Sequence, residues 1–251
     1  MFDTETTNIE KPFCYNVGYV IVDMGTGAKL IERDFVIEQI WHNPELFTTA
    51  YYANKRDIYV QRMRARSVVM TKWGYVMQQM FRDFKAFNIS DVYAYNSPFD
   101  VGVFDFNCDW FNKTLNPLDN VSIHDIRGMV HNFIAYDSAF QAFCDANAYY
   151  TEGGHYSTTA ETVYRFISNN TAFIEEHTAL ADALIEYDIM AECINRGAVA
   201  TTDYQVYRSI QRQVVKQFEV VDANGGKHIF DYTAKRKINN GEGLKFTLNT
   251  P

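Results

Sequence analysis

The chain has 251 residues, of which 47% are hydrophobic and 16% aromatic, and this composition excludes a disordered chain and allows a sizeable buried core. The formal net charge of −8 argues against a protein that coats nucleic acid non-specifically.

Cysteine usage and apolar runs bear on the compartment. The four cysteines, Cys14, Cys108, Cys144 and Cys193, are far apart and form no Cys-x-x-Cys pair. We therefore expect buried free thiols in a reducing compartment, not a disulfide framework or a zinc site. The sequence shows neither a signal peptide nor an apolar run long enough to cross a membrane. It predicts a soluble, intracellular, cytoplasmic protein with no membrane partner.

Two acids stand at the start of the chain, in Phe2-Asp3-Thr4-Glu5-Thr6-Thr7. On a strand the side-chain period is two, so Asp3 and Glu5 project from one face. Two carboxylates held side by side repel unless a cation lies between them, and Mg²⁺ and Mn²⁺ are the ions that take such oxygens together with substrate phosphates. A solvated surface pair is the alternative, which the rest of the chain must decide.

The next segments predict an antiparallel hairpin. Residues 13–23 are rich in β-branched and aromatic side chains, 25–27 form a Gly-Thr-Gly turn, and 29–36 return as a second strand. With the strand that carries Asp3, they predict a three-stranded meander.

Residues 43–87 follow a helical pattern, broken near Tyr51-Tyr52. The expected core stripe consists of Val69, Trp73, Val76, Met77, Met80, Phe81 and Phe84. The region also has the densest group of basic residues in the chain, which are Lys55, Arg56, Arg62, Arg64, Arg66 and Lys72. These residues either follow a phosphate backbone or form a solvated helix face, and the pattern alone leaves both readings open.

A third acid follows a predicted strand over 91–95. The segment Asn96-Ser97-Pro98-Phe99-Asp100 leads into a helix predicted over 101–106. Asp100 thus lies near the carboxyl end of a strand, the edge where α/β sheets bind ligands. An acid that merely complements a helix N-terminus is the alternative. Residues 121–125 predict another buried strand, followed by a helix from 126.

Two further candidates precede or begin a helix predicted over 175–189. Its apolar positions are Leu180, Ala181, Leu184, Ile185 and Ile189. His177 and Asp182 are five residues apart, so they converge only if His177 lies in the loop or first turn. A partly exposed histidine without function is the alternative.

The C-terminal residues differ in character. Strand-like residues 217–222 and 227–232 flank Asn224-Gly225, a strong hairpin signal, and one more strand is predicted over 241–247. We predict a first domain over 1–197 and a small β extension over 198–251.

Three of these segments, 2–7, 96–100 and 177–182, resemble in order the three exonuclease motifs of the DEDDh (DnaQ-like) family of 3′→5′ exonucleases. That family includes the proofreading exonuclease subunit of bacterial DNA polymerase III and oligoribonuclease. The helix around Ala160–Tyr164 also looks like the family's, and the resemblance covers about residues 1–195. It implies an α/β, ribonuclease H-like fold, with a mixed five-stranded sheet flanked by helices and the small β extension.

The resemblance implies roles for individual residues. Asp3, Glu5, Asp100 and Asp182 would hold two divalent cations, Mg²⁺ or Mn²⁺, and His177 would be the general base. The residues expected to bind substrate are Thr6, Ile9, Asn96 and Phe99, with Ile9 wedging between the last two bases. Family members usually have Gly where Asn8 stands and often have His where Tyr95 stands. From their charge, we expect Glu175 and Glu176 to favour protonated His177 and to shift the working pH upward.

The implied reaction is hydrolysis of phosphodiester bonds from the 3′ end of single-stranded DNA, releasing nucleoside 5′-monophosphates, as in DNA repair or proofreading. An exoribonuclease acting on short RNA is an alternative, because no residue here reads a 2′-hydroxyl. A non-catalytic nucleic-acid-binding module that keeps the fold is another. The C-terminal extension is a candidate contact for a polymerase or another protein partner.

Overall fold

The structure is a computed structural model that describes residues 1–48, 53–206, 214–221 and 227–234. It divides into two compact units, Met1–Ile210 and Gln211–Pro251. Residues 198–206 were predicted to belong to the C-terminal extension, but they belong to the first unit. The four cysteines are buried free thiols, as expected.

The first unit is built on a mixed sheet of four strands. The strands are β1 (Phe2–Thr6), β2 (Cys14–Val22), β3 (Lys29–Ile37) and β4 (Val69–Thr71). Their order is β1-β2-β3-β4, with the first two pairings antiparallel and the last parallel. The predicted antiparallel meander is therefore confirmed.

A short parallel pair, β5 (Asp91–Ala94) with β6 (Ser122–Asp125), is separate from this sheet. The α/β class is confirmed, but the strands of the described residues form a four-stranded sheet and separate pairs instead of the predicted single five-stranded sheet. Strand β5 contacts β1. At this junction, however, two backbone N–H groups donate hydrogen bonds to carboxylate side chains. The N–H of Thr4 donates to Asp100 Oδ1 at 3.1 Å, and the N–H of Tyr95 donates to Glu186 Oε2 at 3.2 Å.

Helices cover the sheet and the parallel pair. Their bounds are α1 (Glu38–Trp41), α2 (Pro44–Thr48), α3 (Arg56–Arg64), α4 (Trp73–Ala86), α5 (Ser97–Trp110), α6 (Ile126–Phe133), α7 (Ser138–Asn147), α8 (Ala160–Ile167) and α9 (Ala179–Asn195). Short 3₁₀ turns occur at Ala53–Lys55 and Pro117–Asn120.

Two sequence predictions were wrong in detail. Two residues of the predicted core stripe are not core: Val69 lies in β4, where it pairs with Phe35 of β3, and is 50% exposed, and Phe81 is 40% exposed. Helix α5 begins at Ser97, four residues earlier than predicted. Asn96 takes a left-handed conformation (φ 65°) that turns the chain sharply, and Pro98 fits the first helical turn.

The start of α9 packs unusually close to the sheet. Gly18 in β2 pairs with Asp3, and a Cβ at position 18 would lie 2.1 Å from the backbone nitrogen of Leu180. Only glycine allows this approach. The first turn of α9, which carries Asp182, is therefore held against the strand next to Asp3.

The second unit contains an antiparallel hairpin of β7 (Val214–Val221) and β8 (Lys227–Ala234), as predicted. Its turn at Asn224-Gly225 and the strand predicted over 241–247 lie outside the described residues. The proposed partner contact of this unit stays a prediction. None of the helices within the described ranges combines the length and apolar character that a bilayer crossing demands.

Candidate metal centre

Carboxylates from both ends of the first unit meet at one site. Asp3 and Glu5 lie on β1 and Asp182 lies in the first turn of α9. One carboxylate oxygen of each of the three residues lies within 4.8 Å of those of the other two. Residues almost a whole domain apart in sequence thus form one cluster of hard oxygen donors, the ligand type that Mg²⁺ and Mn²⁺ prefer.

Asp182 contributes an unsatisfied oxygen to this cluster. The residue is buried, and its Oδ1 has no hydrogen-bond partner within the described part of the chain. A buried carboxylate oxygen without a partner is costly, so a cation, a proton or a water that satisfies it would stabilise the site. Burial, followed by the charges of Glu175 and Glu176, raises the pKa of Asp182 to about 8. These features fit a site that is completed by a cation.

Asp100 lies beside the cluster and is held by β1. Its Oδ1 accepts two hydrogen bonds from Thr4, one from the N–H at 3.1 Å and one from the hydroxyl at 2.7 Å. Burial raises the pKa of Asp100 to about 7, while the bonds from Thr4 oppose the shift. The charge of Asp100 is the next cause after burial of the raised pKa of Asp3. Asp100 therefore adjoins the three-residue group without belonging to its 4.8 Å set.

Glu186 is a fifth acid here, which the sequence reading missed. It is 4% exposed and follows Asp182 by one helical turn, and its Oε2 accepts the N–H of Tyr95. Burial, then the charges of Asp100 and Asp182, raises its pKa well above the usual range. The available signal was its spacing of four from Asp182, which places both acids on one helical face.

The buried face of α9 explains why Glu186 was missed. The predicted apolar face included Leu180 and Leu184, but both are only half-buried. The face that is buried carries Asp182, Glu186 and Ile189. The apolar pattern therefore predicted a buried face of α9 that is rotated slightly from the face that is buried in the structure. Two acids lie on the face that is buried.

The electrostatics of the cluster favour a bound cation. Burial is the largest cause of the raised pKa values of Asp3 and Glu5, and neighbouring carboxylates add to it. Like charges this close disfavour each other's ionisation. A divalent cation would remove the repulsion and let the acids ionise at neutral pH.

His177 lies at the edge of the cluster, in the loop before α9 as its spacing requires. Its side chain is 30% exposed, and its Nδ1 lies 3.7 Å from Glu175 Oε2. Donor atoms of Glu175, His177 and Asp182 all lie within 4.8 Å of one another. The imidazole is thus next to the acids and also open to solvent.

The expected effect of the acids on His177 was wrong. Burial and the charge of Lys55 lower the pKa of His177, and only Glu161 opposes them appreciably. Glu175 is itself mostly buried, and burial raises its pKa to about 7, so it carries only part of a charge near neutral pH. Glu176 forms an ion pair with Arg62 at 2.7 Å. Neither acid therefore holds a proton on His177.

The four predicted substrate-binding residues have different environments. Thr6 ends β1, and its hydroxyl donates to the carbonyl of Asn8 at 3.2 Å. Ile9 is 83% exposed, whereas Phe99 is half-buried against the core. Asn96 is exposed, and its N–H donates to the carboxylate of Asp125. Ile9 thus packs little against the described residues, while Phe99 has a structural role.

Comparison of the chain with models of known protein families and with curated protein sequences gives no match.

Proposed function

We propose that this protein is a metal-dependent 3′→5′ exonuclease with a ribonuclease H-like fold, similar to the DEDDh family. The observation that carries the proposal is the meeting of Asp3, Glu5 and Asp182 within 4.8 Å, with a buried oxygen on Asp182 that accepts no hydrogen bond from the described residues. His177 lies beside this group and is accessible to solvent. An acid cluster with an adjacent neutral base suits phosphodiester hydrolysis better than binding alone.

The arrangement of strands supports the proposed fold. An antiparallel meander of β1, β2 and β3 comes first, and β5 then lies against β1 and pairs in parallel with β6. Asp100 follows β5 in the first turn of α5. The order of elements and the position of each acid agree with the motif order that the sequence suggested.

In the proposed site, Asp3, Glu5 and Asp182 would hold one divalent cation, and Asp100 would hold a second together with Asp3. Bound there, such ions supply neutralisation of the scissile phosphate and stabilisation of charge on the attacking and leaving oxygens. Thr4 fixes the carboxylate of Asp100 by two hydrogen bonds, so this acid needs little reorganisation. Glu186 supports the junction by accepting the N–H of Tyr95.

His177 would take the proton of the attacking water. The new bond joins the water oxygen to phosphorus, and the bond from phosphorus to the 3′-oxygen of the preceding nucleotide breaks. The terminal nucleoside 5′-monophosphate leaves, and the 3′-oxygen takes a proton from solvent water and becomes the hydroxyl end of the shortened strand. Because its pKa is lowered from about 6.5, the imidazole is neutral at pH 7 and able to accept a proton. Its solvent-facing position allows the proton to be released after each cycle.

The test is digestion of 5′-labelled single-stranded DNA, and of RNA with the same sequence, with Mg²⁺, Mn²⁺ or EDTA. We expect a ladder that shortens from the 3′ end, needs the metal, and is lost in Asp3→Asn and Asp182→Asn. Asp109→Asn is the matched control, because Asp109 is exposed on α5. Faster digestion of RNA would assign an exoribonuclease. A folded protein that binds strands but shortens neither would support a binding module instead.

A further inference from the structure

Arg62 bridges helix α3 and the loop that carries His177. Its guanidinium donates to Glu176 Oε1 at 2.7 Å and to Thr178 Oγ1 at 3.0 Å. These two acceptors are the immediate neighbours of His177 in sequence. The same guanidinium reaches Asp34 Oδ2 at 3.5 Å, and the side chain of Asp34 is only 1% exposed. One residue thus connects both sides of His177 to the interior.

The backbone of His177 needs such support. Its φ of 54° lies in the left-handed region, which is unfavourable for a residue other than glycine. Such a conformation persists only where the surroundings determine it. The bonds from Arg62 to Glu176 and Thr178 hold the chain directly before and after the strained residue.

The anchor of Arg62 also holds the start of α9. Asn16 Nδ2 donates to Asp34 Oδ1 at 2.6 Å, and Asn16 Oδ1 accepts the N–H of Ala179 at 2.8 Å. Asn16 pairs with Glu5 across the β1–β2 ladder. A continuous set of hydrogen bonds therefore relates the His177 loop to the strand that bears the acids.

We propose that Arg62 is a positioning residue that holds His177 in the orientation needed for proton transfer; this inference rests on the proposed exonuclease function. Arg62 belongs to the group of basic residues for which the sequence left two hypotheses open, contact with a phosphate backbone or a solvated helix face. Its environment favours positioning, because two carboxylates, those of Glu176 and Asp34, already surround its charge. A guanidinium so engaged is a poor site for a substrate phosphate.

The first experiment compares kcat and KM for single-stranded DNA with Mn²⁺ in wild type, Arg62→Gln, His177→Ala and the double variant. We expect Arg62→Gln to lower kcat by about 10- to 100-fold with KM unchanged, because a displaced base loses much of its contribution. In the His177→Ala background the same change should have no further effect. Arg82→Gln, an exposed arginine of α4, is the matched control and should keep the wild-type kcat.

Three results would overturn the inference. They are an unchanged kcat in Arg62→Gln, a rise in KM alone as expected for a phosphate contact, or an equal loss of kcat when His177 is already absent. If Arg62→Gln does not fold, Arg62→Lys replaces it. The ammonium of lysine keeps a charge beside Asp34 but cannot reproduce the separate hydrogen bonds that the two guanidinium nitrogens donate. We expect the lysine variant to lose part of kcat with an unchanged affinity for Mn²⁺.

A second readout separates this inference from the proposed function. If wild-type protein digests no strand under any metal, the exonuclease proposal fails. Hydrogen exchange at the amides of 177–179 then decides the role of Arg62. Faster exchange there in Arg62→Gln than in Arg82→Gln would support the conclusion that Arg62 stabilises the loop that carries His177. Equal exchange in the two variants would refute that conclusion.

Discussion

Thr4 binds Asp100 twice through a single oxygen, with its N–H and its hydroxyl both donating to Oδ1. This pair ties β1 to the first turn of α5. It also favours the ionised form of Asp100 against the effect of burial, which raises the pKa of Asp100 to about 7.

Thr4→Val tests this relationship. Valine matches the shape of threonine but lacks the hydroxyl, so the pKa of Asp100 should rise above about 7. More of the carboxyl is then protonated at neutral pH, and Mn²⁺ binding should weaken more at about pH 7 than at about pH 9. Titration calorimetry at the two pH values measures the difference. Equal weakening at both would show that the hydroxyl holds the carboxylate of Asp100 in position instead of favouring its ionisation.

Gly18→Ala should both destabilise the protein and weaken metal binding. The new Cβ would lie 2.1 Å from Leu180 N, so the start of α9 must move away from β2 and take Asp182 with it. We expect a loss of about 1–3 kcal/mol in the free energy of unfolding, as for other overpacked sites. Urea unfolding and Mn²⁺ titration give the two values.

Gly102→Ala is the matched control for this change. Gly102 lies on α5, and a Cβ there would meet nothing within 4 Å. Alanine should increase the free energy of unfolding by about 0.5–1 kcal/mol, because it favours the helix more than glycine does. A Gly18→Ala protein that binds Mn²⁺ as wild type does would contradict the close packing described for α9.

The stability of the metal-free protein should fall as the pH rises. Folding raises the pKa of Asp100 to about 7 and of Asp182 to about 8. At pH values between the pKa of the unfolded carboxyl groups and these folded values, the folded state therefore binds more protons than the unfolded state. This stability is fully present below the unfolded pKa, at about 4, and is lost as the pH passes the folded values. Thermal midpoints in EDTA should therefore drop by several degrees between acidic and mildly alkaline buffer. Saturating Mn²⁺ should remove most of the drop, and a flat profile in EDTA would contradict the clustering of the acids.

Lys55 should set the pH at which activity begins. Its charge and the burial of His177 both lower the pKa of this histidine, so Lys55→Gln should raise that pKa and move the acidic limb of kcat to higher pH. The profile of His177→Ala should lack this limb, with kcat reduced by about 10²- to 10⁴-fold. Lys85→Gln, an exposed lysine late in α4, is the control and should leave the limb in place. A limb unmoved in Lys55→Gln would mean that another group titrates there.

The candidate site was predictable where local patterns determine it. The strand period places Asp3 and Glu5 on one face, and Pro98 after a predicted strand indicates that Asp100 lies near the start of a helix. The spacing of His177 and Asp182 required the loop position that the structure shows. Each of these relations spans only a few residues.

Relations between distant segments were not predictable from patterns. Arg62 looked like any exposed basic residue, and its ion pair with Glu176 joins segments far apart in sequence. Glu186 occupies an interior position that an apolar stripe would not assign to an acid. Strand β4 was hidden because Val69 fits a helical repeat and a strand equally well. Such choices depend on which elements pack together, and sequence periodicity does not contain that information.

The closure of the site by Gly18 and the first turn of α9 has a consequence for how the protein is made. During synthesis Asp3 and Glu5 emerge before Asp182, which follows only after most of the first unit has left the ribosome. Contacts between such distant segments form late, because the intervening chain must first be ordered. If the proposed site holds a divalent ion, the nascent protein would bind it tightly only after α9 docks, and tight ion binding would report that the first unit has finished folding.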